Sequence, residues 1–171
     1  MRILVYGFGP YGTFRKNVAE DVVRGLPRYR GLKKVVFPVQ FHRKQFISAV
    51  KQYDPDAVIG VGQCSAGKRL RIETRAVNER LDGRRDAPRP ISRRGAKNLS
   101  TNLRPACARE ARISTSAGRY VCNYSMYVIL EFLKRYRPHV RYGFIHIPHR
   151  YDAKGAGRFL LRAMARLRAG G

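Results

Sequence analysis

The chain has 171 residues, 36 lysines and arginines against 11 acidic residues, and a formal charge of +25. A hydrophobic fraction of 44% supplies a real core and excludes wholesale disorder. No apolar run approaches the ~20 residues of a bilayer span, and Met1–Tyr6 is too short for a signal peptide, so neither membrane nor export is expected.

Arg2–Tyr6 is an aliphatic run that predicts a buried strand closed by Gly7. Asn17 followed by Glu20 three residues later marks a helix start, and Gly25-Leu26-Pro27 its end. Lys33–Phe37 is a second strand. Phe46, Ile47, Val50 and Tyr53 fall on one face of a helix over Arg43–Tyr53, stopped by Pro55. Ala57–Gly62 is a third strand. Strand–helix–strand–helix–strand predicts an α/β, three-layer α/β/α fold with a mixed, mostly parallel central sheet.

Leu70–Val77 predicts one further strand. Pro88, Pro90 and paired arginines mark residues 83–105 as a basic, flexible loop within a single domain over 1–171. Arg112–Thr115 is a short strand. Met126, Ile129, Leu130 and Leu133 give Tyr124–Tyr136 the clearest helical spacing, closed by Pro138. Tyr142–Ile147 alternates as a strand. Gly157–Arg168 closes the series as a helix with Arg158, Arg162 and Arg166 along one side.

Three chemistries compete for these residues. Gly7-x-Gly9-x-x-Gly12 has the form of a dinucleotide fingerprint. However, Pro10 stiffens the turn, four residues separate Gly12 from the Asn17 cap, and the second strand carries no acidic residue for a ribose. The charge excess suits a polyanion, with Arg84–Lys97 and the last-helix arginines as its footprint, but no aromatic-interleaved RNA motif accompanies it. Cys64, Cys107 and Cys122 form no metal-binding pair, and their odd count favours a reducing cytoplasm over a disulfide framework. Cys122 lies just before the strong helix, where N–H groups and the helix dipole favour a thiolate. His146 lies near the carboxyl end of a strand, the edge at which α/β sheets bind ligands. With Glu73 as orienting group, the three make a nucleophile, a base and a carboxylate. Glu73 has a competing role as an ion pair with Arg69, Arg71 or Arg75.

Four segments in order carry a resemblance. They are Gly7-Phe8-Gly9-Pro10-Tyr11-Gly12; Gly62-Gln63 with Ile72-Glu73-Thr74-Arg75-Ala76-Val77-Asn78; Ser116-Ala117-Gly118-Arg119-Tyr120-Val121-Cys122-Asn123; and Gly143-Phe144-Ile145-His146-Ile147-Pro148. Together they resemble the motifs of the pyroglutamyl peptidase I family of cysteine peptidases. The resemblance implies hydrolysis of an amino-terminal pyroglutamyl residue through an acyl-thioester, without a cofactor. Cys122 is the implied nucleophile, His146 the general base and Glu73 its orienting group. Phe8, Tyr11, Tyr120 and Val121 are implied around the lactam, Asn17 and Gln63 near it, and Arg84 at the oxyanion. Implied partners are peptides that begin with pyroglutamate, and a homo-oligomer is left open. The alternative is a weakened relative that binds nucleic acid or another polyanion. Gly9 replaces the family's usual acidic residue, Tyr11 its Phe, and Val18 its Pro. The Asn78–Ser116 stretch is shorter than the family's.

Overall fold

The computed structural model describes residues 1–83, 85–103 and 110–169. Arg84, part of the 83–105 segment, and Cys107 fall outside these residues. The elements are β1 (Ile3–Phe8), α1 (Val18–Gly25), β2 (Leu32–Phe37), α2 (Arg43–Tyr53), β3 (Ala57–Cys64), β4 (Leu70–Glu73), β5 (Arg75–Val77), β6 (Asn98–Ser100), β7 (Ala111–Ser114), α3 (Val121–Tyr136), β8 (Arg141–Pro148) and α4 (Ala153–Ala169).

The main sheet has the order β2-β1-β3-β8-β4-β7. Its first four strands are mutually parallel, β4 runs antiparallel to β8, and β7 parallels β4. Strand alternation sorts the side chains into two cores. Leu4, Tyr6, Phe8, Val58, Tyr142 and Phe144 face α2 and α3, while Ile3, Val5, Ile59, Val61, Ile145 and Ile147 face α1 and α4. This is the expected three-layer α/β/α arrangement with a mixed, mostly parallel sheet. Each buried apolar or aromatic side chain contributes about 1.5–3 kcal/mol, so the nine on α3 anchor that helix firmly.

Beyond shifts of one or two residues at strand ends, four features differ from the sequence expectation. The run over Leu70–Val77 is two strands, because Thr74 changes partners: its N–H donates to Ser114 O while its carbonyl accepts from Thr101 N. β5 then pairs with β6 in a separate two-stranded sheet. β6 lies inside the segment expected to be loop, and a three-residue strand is too short for alternation to reveal. Asn78 ties down more of that segment. Its amide nitrogen donates to the Ser92 and Gly95 carbonyls, and its oxygen accepts from Ile91 N and Ser92 N. The last helix starts four residues early, at Ala153, because Asp152 caps it: its carboxylate accepts from Lys154 N and Gly155 N. Gly155 and Gly157 hide this start from a propensity reading. Finally, α3 begins at Val121, so Cys122 is its second residue rather than the residue before it.

Candidate active site

The strong helix and three strands converge at the carboxyl edge of β3 and β8. On β3 the residues facing α3 beyond Val58 are Gly60 and Gly62, and both are required to be small. A Cβ on Gly62 would lie 2.7 Å from Cys122 Sγ, 2.8 Å from Phe144 Cζ and 3.1 Å from His146 Cδ2. The first turn of α3 is thereby seated on bare backbone, and sulfur and imidazole occupy one small volume. Gly62 pairs with His146 across β3 and β8, so both point to the same face.

β4 supplies the third group. Glu73 is opposite Phe144 and one diagonal from His146 in the antiparallel register. Its Oε1 is 2.9 Å from His146 Nδ1, with Glu73 fully buried and His146 6% exposed. The flanking arginines do not compete for it. Arg69 donates to Ala111 O, Arg71 to Ala66 O and Arg75 to Thr115 O. The second carboxylate oxygen, Oε2, has no partner among the described residues. Burial alone would pull the His146 imidazole down. The charge of Cys122, a hydrogen bond to that sulfur, and the Glu73 carboxylate outweigh it and push the imidazole up from 6.5 to about 9. With Nδ1 held by Glu73, Nε2 is left for the sulfur.

Asn123 fixes the head of α3 from the other side. Fully buried, it accepts from Val77 N and donates to the Val77 and Glu79 carbonyls, mimicking a paired strand. Tyr120, the residue before the helix, gives no side-chain cap. Among the described residues no side chain caps the first-turn N–H groups beside Cys122.

The residues expected around a substrate fall into three groups. Tyr11 is half-buried near Gln63, Cys64 and Cys122, and burial pushes its phenol up. Its ring begins an aromatic row, 5.3 Å from Phe14, which is 6.0 Å from His149. Gln63 accepts from Val18 N through Oε1, while its Nε2, on a side chain only 7% exposed, has no hydrogen-bond partner among the described residues. Tyr120 is 46% exposed at the head of α3. Phe8 and Val121 are core residues, and Phe8 packs edge-on against Tyr6 and Phe46. Asn17 is also buried. It donates to Gly9 O and accepts from Ala19 N, so it closes the β1–α1 turn and caps α1. Cys64 and Gly62 are site neighbours that the sequence did not single out. Cys64 follows Gly62 by two residues on the same strand face, and burial pushes its thiol up. Period-two alternation from His146's partner strand was the available signal for both.

A groove of about 1250 Å³ lies elsewhere, at the far end of α3 between Arg43, Lys51, Arg94 and Arg135. It contains none of Cys122, His146 or Glu73, so volume is a poor guide to the chemistry here. No described helix is long and apolar enough to cross a membrane.

A pyroglutamyl peptidase family model matches residues 1–153. The chain belongs to the pyroglutamyl peptidase family. It is 31% identical over 168 residues to a pyrrolidone-carboxylate peptidase of Alkaliphilus oremlandii, covering 87% of this chain and 79% of that protein. It is 32% identical over 169 residues to one from Streptococcus pneumoniae, covering 87% and 78%. Among solved structures, pyroglutamyl peptidase I of Bacillus amyloliquefaciens superposes with a TM-score of 0.84 at 25% identity, covering 95% of this chain and 92% of that one. A pyrrolidone carboxyl peptidase of Pyrococcus furiosus gives a TM-score of 0.87 at 23% identity, over 96% and 97%, and speaks to the fold alone. The pyroglutamyl peptidase fold thus accounts for all the layers of this chain.

Proposed function

We propose that this pyroglutamyl peptidase family member is a cysteine peptidase that removes an amino-terminal pyroglutamyl residue from peptides. The observation that carries the proposal is the Cys122–His146–Glu73 array, with the imidazole held at Nδ1 by a buried carboxylate and the sulfur in the first turn of α3.

The Cys122 thiolate attacks the acyl carbon of the pyroglutamyl residue. The carbonyl oxygen becomes an oxyanion, for which the first-turn N–H groups of α3 are fixed donors. As the tetrahedral species collapses, the carbon–nitrogen bond breaks and the His146 imidazolium gives its Nε2 proton to the departing amine. A pyroglutamyl thioester remains on Cys122. Neutral His146 then takes a proton from water, which attacks the thioester, and pyroglutamate leaves as the thiolate–imidazolium pair is restored. Glu73 holds the imidazole orientation and stabilises its charge throughout.

A flat neutral lactam suits the Tyr11 wall, and Gln63 Nε2, beside Tyr11, is a donor for its ring carbonyl. Asn17, Phe8 and Val121 serve that pocket from behind, by fixing the turn and the head of the helix. Arg84 keeps the oxyanion role only by resemblance. Free thiols at Cys64 and Cys122 suit a reducing compartment such as the cytoplasm.

The test is turnover of a pyroglutamyl fluorogenic amide by the wild type and by Cys122→Ser. Wild-type turnover that falls by a factor on the order of 10³ or more in the variant supports the reading. Absence of turnover in the wild type, or equal turnover in both, overturns it.

A further inference from the structure

Beneath Cys122 the α3-facing core contains three hydroxyl groups where apolar side chains would pack as well. Tyr6, Ser125 and Tyr142 are all fully buried. Tyr142 Oη is 2.7 Å from Tyr6 Oη, which is 3.0 Å from Ser125 Oγ, and Ser125 Oγ donates to the Cys122 carbonyl at 2.8 Å. Each hydroxyl has a single proton, so the direction of the chain is fixed. Ser125 spends its proton on Cys122 O and must accept from Tyr6, and Tyr6 in turn must accept from Tyr142. The result is a one-way row of O–H dipoles that starts at β8, crosses β1 and ends on the backbone of the nucleophile. Gly60 makes room for it, since a Cβ there would lie 2.6 Å from Tyr6 Oη.

Such a row is costly to bury and is tolerated only when every member is satisfied, whereas an all-apolar replacement of the same shape is close to neutral for stability. Its cost therefore points to a task other than holding the core together. We infer that the Tyr142–Tyr6–Ser125 hydroxyl row is a positioning element for Cys122, ordering the first turn of α3 through its bond to the Cys122 carbonyl. The inference rests on the reading of Cys122 as nucleophile.

The groups that face the sulfur come from every neighbouring element. They are His146 and Tyr142 on β8, Tyr6 on β1, Tyr11 in the turn after β1, and Cys64 on β3, with Glu73 of β4 behind the imidazole. Tyr6 and Tyr142 both register the charge of Cys122, which raises their phenols further on top of burial.

Tyr142→Phe removes the first donor and keeps the ring, and Ser125→Ala removes the last. Two readouts separate positioning from bulk stability. The first is the rate of iodoacetamide alkylation of Cys122 against pH, which requires no peptide substrate. The second is the division of any loss between kcat and KM. Expected for both variants are an alkylation midpoint moved to higher pH and a loss in kcat/KM of about tenfold carried by kcat. Ser125→Thr, which keeps the hydroxyl, lies closer to wild type than Ser125→Ala. If Ser125→Ala fails to fold, Tyr142→Phe carries the test, because it leaves the Tyr6 and Ser125 donors in place. An unchanged alkylation midpoint in Tyr142→Phe, with only a lowered Tm, overturns the inference. A shifted midpoint in a protein that never cleaves the pyroglutamyl amide overturns the peptidase reading and leaves the positioning role standing.

Discussion

Glu73 reaches His146 from within the sheet, one diagonal along an antiparallel pair, and bonds Nδ1 at 2.9 Å. The imidazole is thus fixed on its inner side and free on the side of the sulfur. Glu73→Gln keeps the shape but removes the charge and offers an amide that can stabilise the wrong tautomer. The expected result is a fall in kcat of roughly 10²–10⁴-fold with little change in KM. Steady-state kinetics on a pyroglutamyl amide checks it, and a loss confined to KM contradicts the orienting role.

The pH profile follows from the same contact. The imidazolium must hold its proton until the amine departs, and His146 sits at about 9. The alkaline limb of kcat/KM is expected near pH 9, as a property of the Cys122–His146 pair rather than of either group. In Glu73→Gln the limb moves toward the ordinary 6.5. A wild-type limb at 6.5 contradicts the coupling.

Stability carries a matching signature. A histidine raised in the folded state stabilises it fully below its unfolded value of 6.5, and loses that contribution as pH rises through about 9. The Tm of the wild type relative to His146→Gln is therefore expected to decline between pH 6.5 and 9.5. A difference that grows over this window reverses the assigned sign. Differential scanning calorimetry in matched buffers makes the comparison.

Gly62→Ala places a methyl group 2.7 Å from Cys122 Sγ. The atoms in the way are the reacting ones, so the expected outcome is a loss of activity of at least 10²-fold, with destabilisation of about 1–3 kcal/mol from overpacking. Activity and urea midpoints measured together separate the two effects. Retained activity contradicts the seating of the helix on bare backbone.

Asn78 closes four hydrogen bonds onto residues 91–95. Asn78→Ala is expected to cost about 2–4 kcal/mol and to speed proteolytic cleavage within residues 85–97. Limited proteolysis followed by mass spectrometry reads the site of cutting. An unchanged digestion pattern contradicts the clasp.

The layers were legible because their signals are local. The α3 spacing of Met126, Ile129, Leu130 and Leu133, and the aliphatic runs of β1 and β3, require no knowledge of neighbours. What sequence could not supply is pairing over distance. Thr74 divides a strand only because Ser114 and Thr101 lie beside it. Glu73 looks compromised by arginines in sequence, yet backbone carbonyls occupy all three. Gly62 matters because a helix starting at Val121 descends on it and Phe144 and His146 crowd it from β8. The hydroxyl row joins residues 6, 125 and 142, which no window of sequence brings together.

The reversal of β4 has a wider consequence. Because that strand enters from the open edge and runs inward, its carboxylate arrives under the imidazole and is sealed from solvent, while its arginines are turned to carbonyls at the rim. Strand direction thus decides which partner the carboxylate meets, and the arginines beside it bond to backbone carbonyls instead of to the acid.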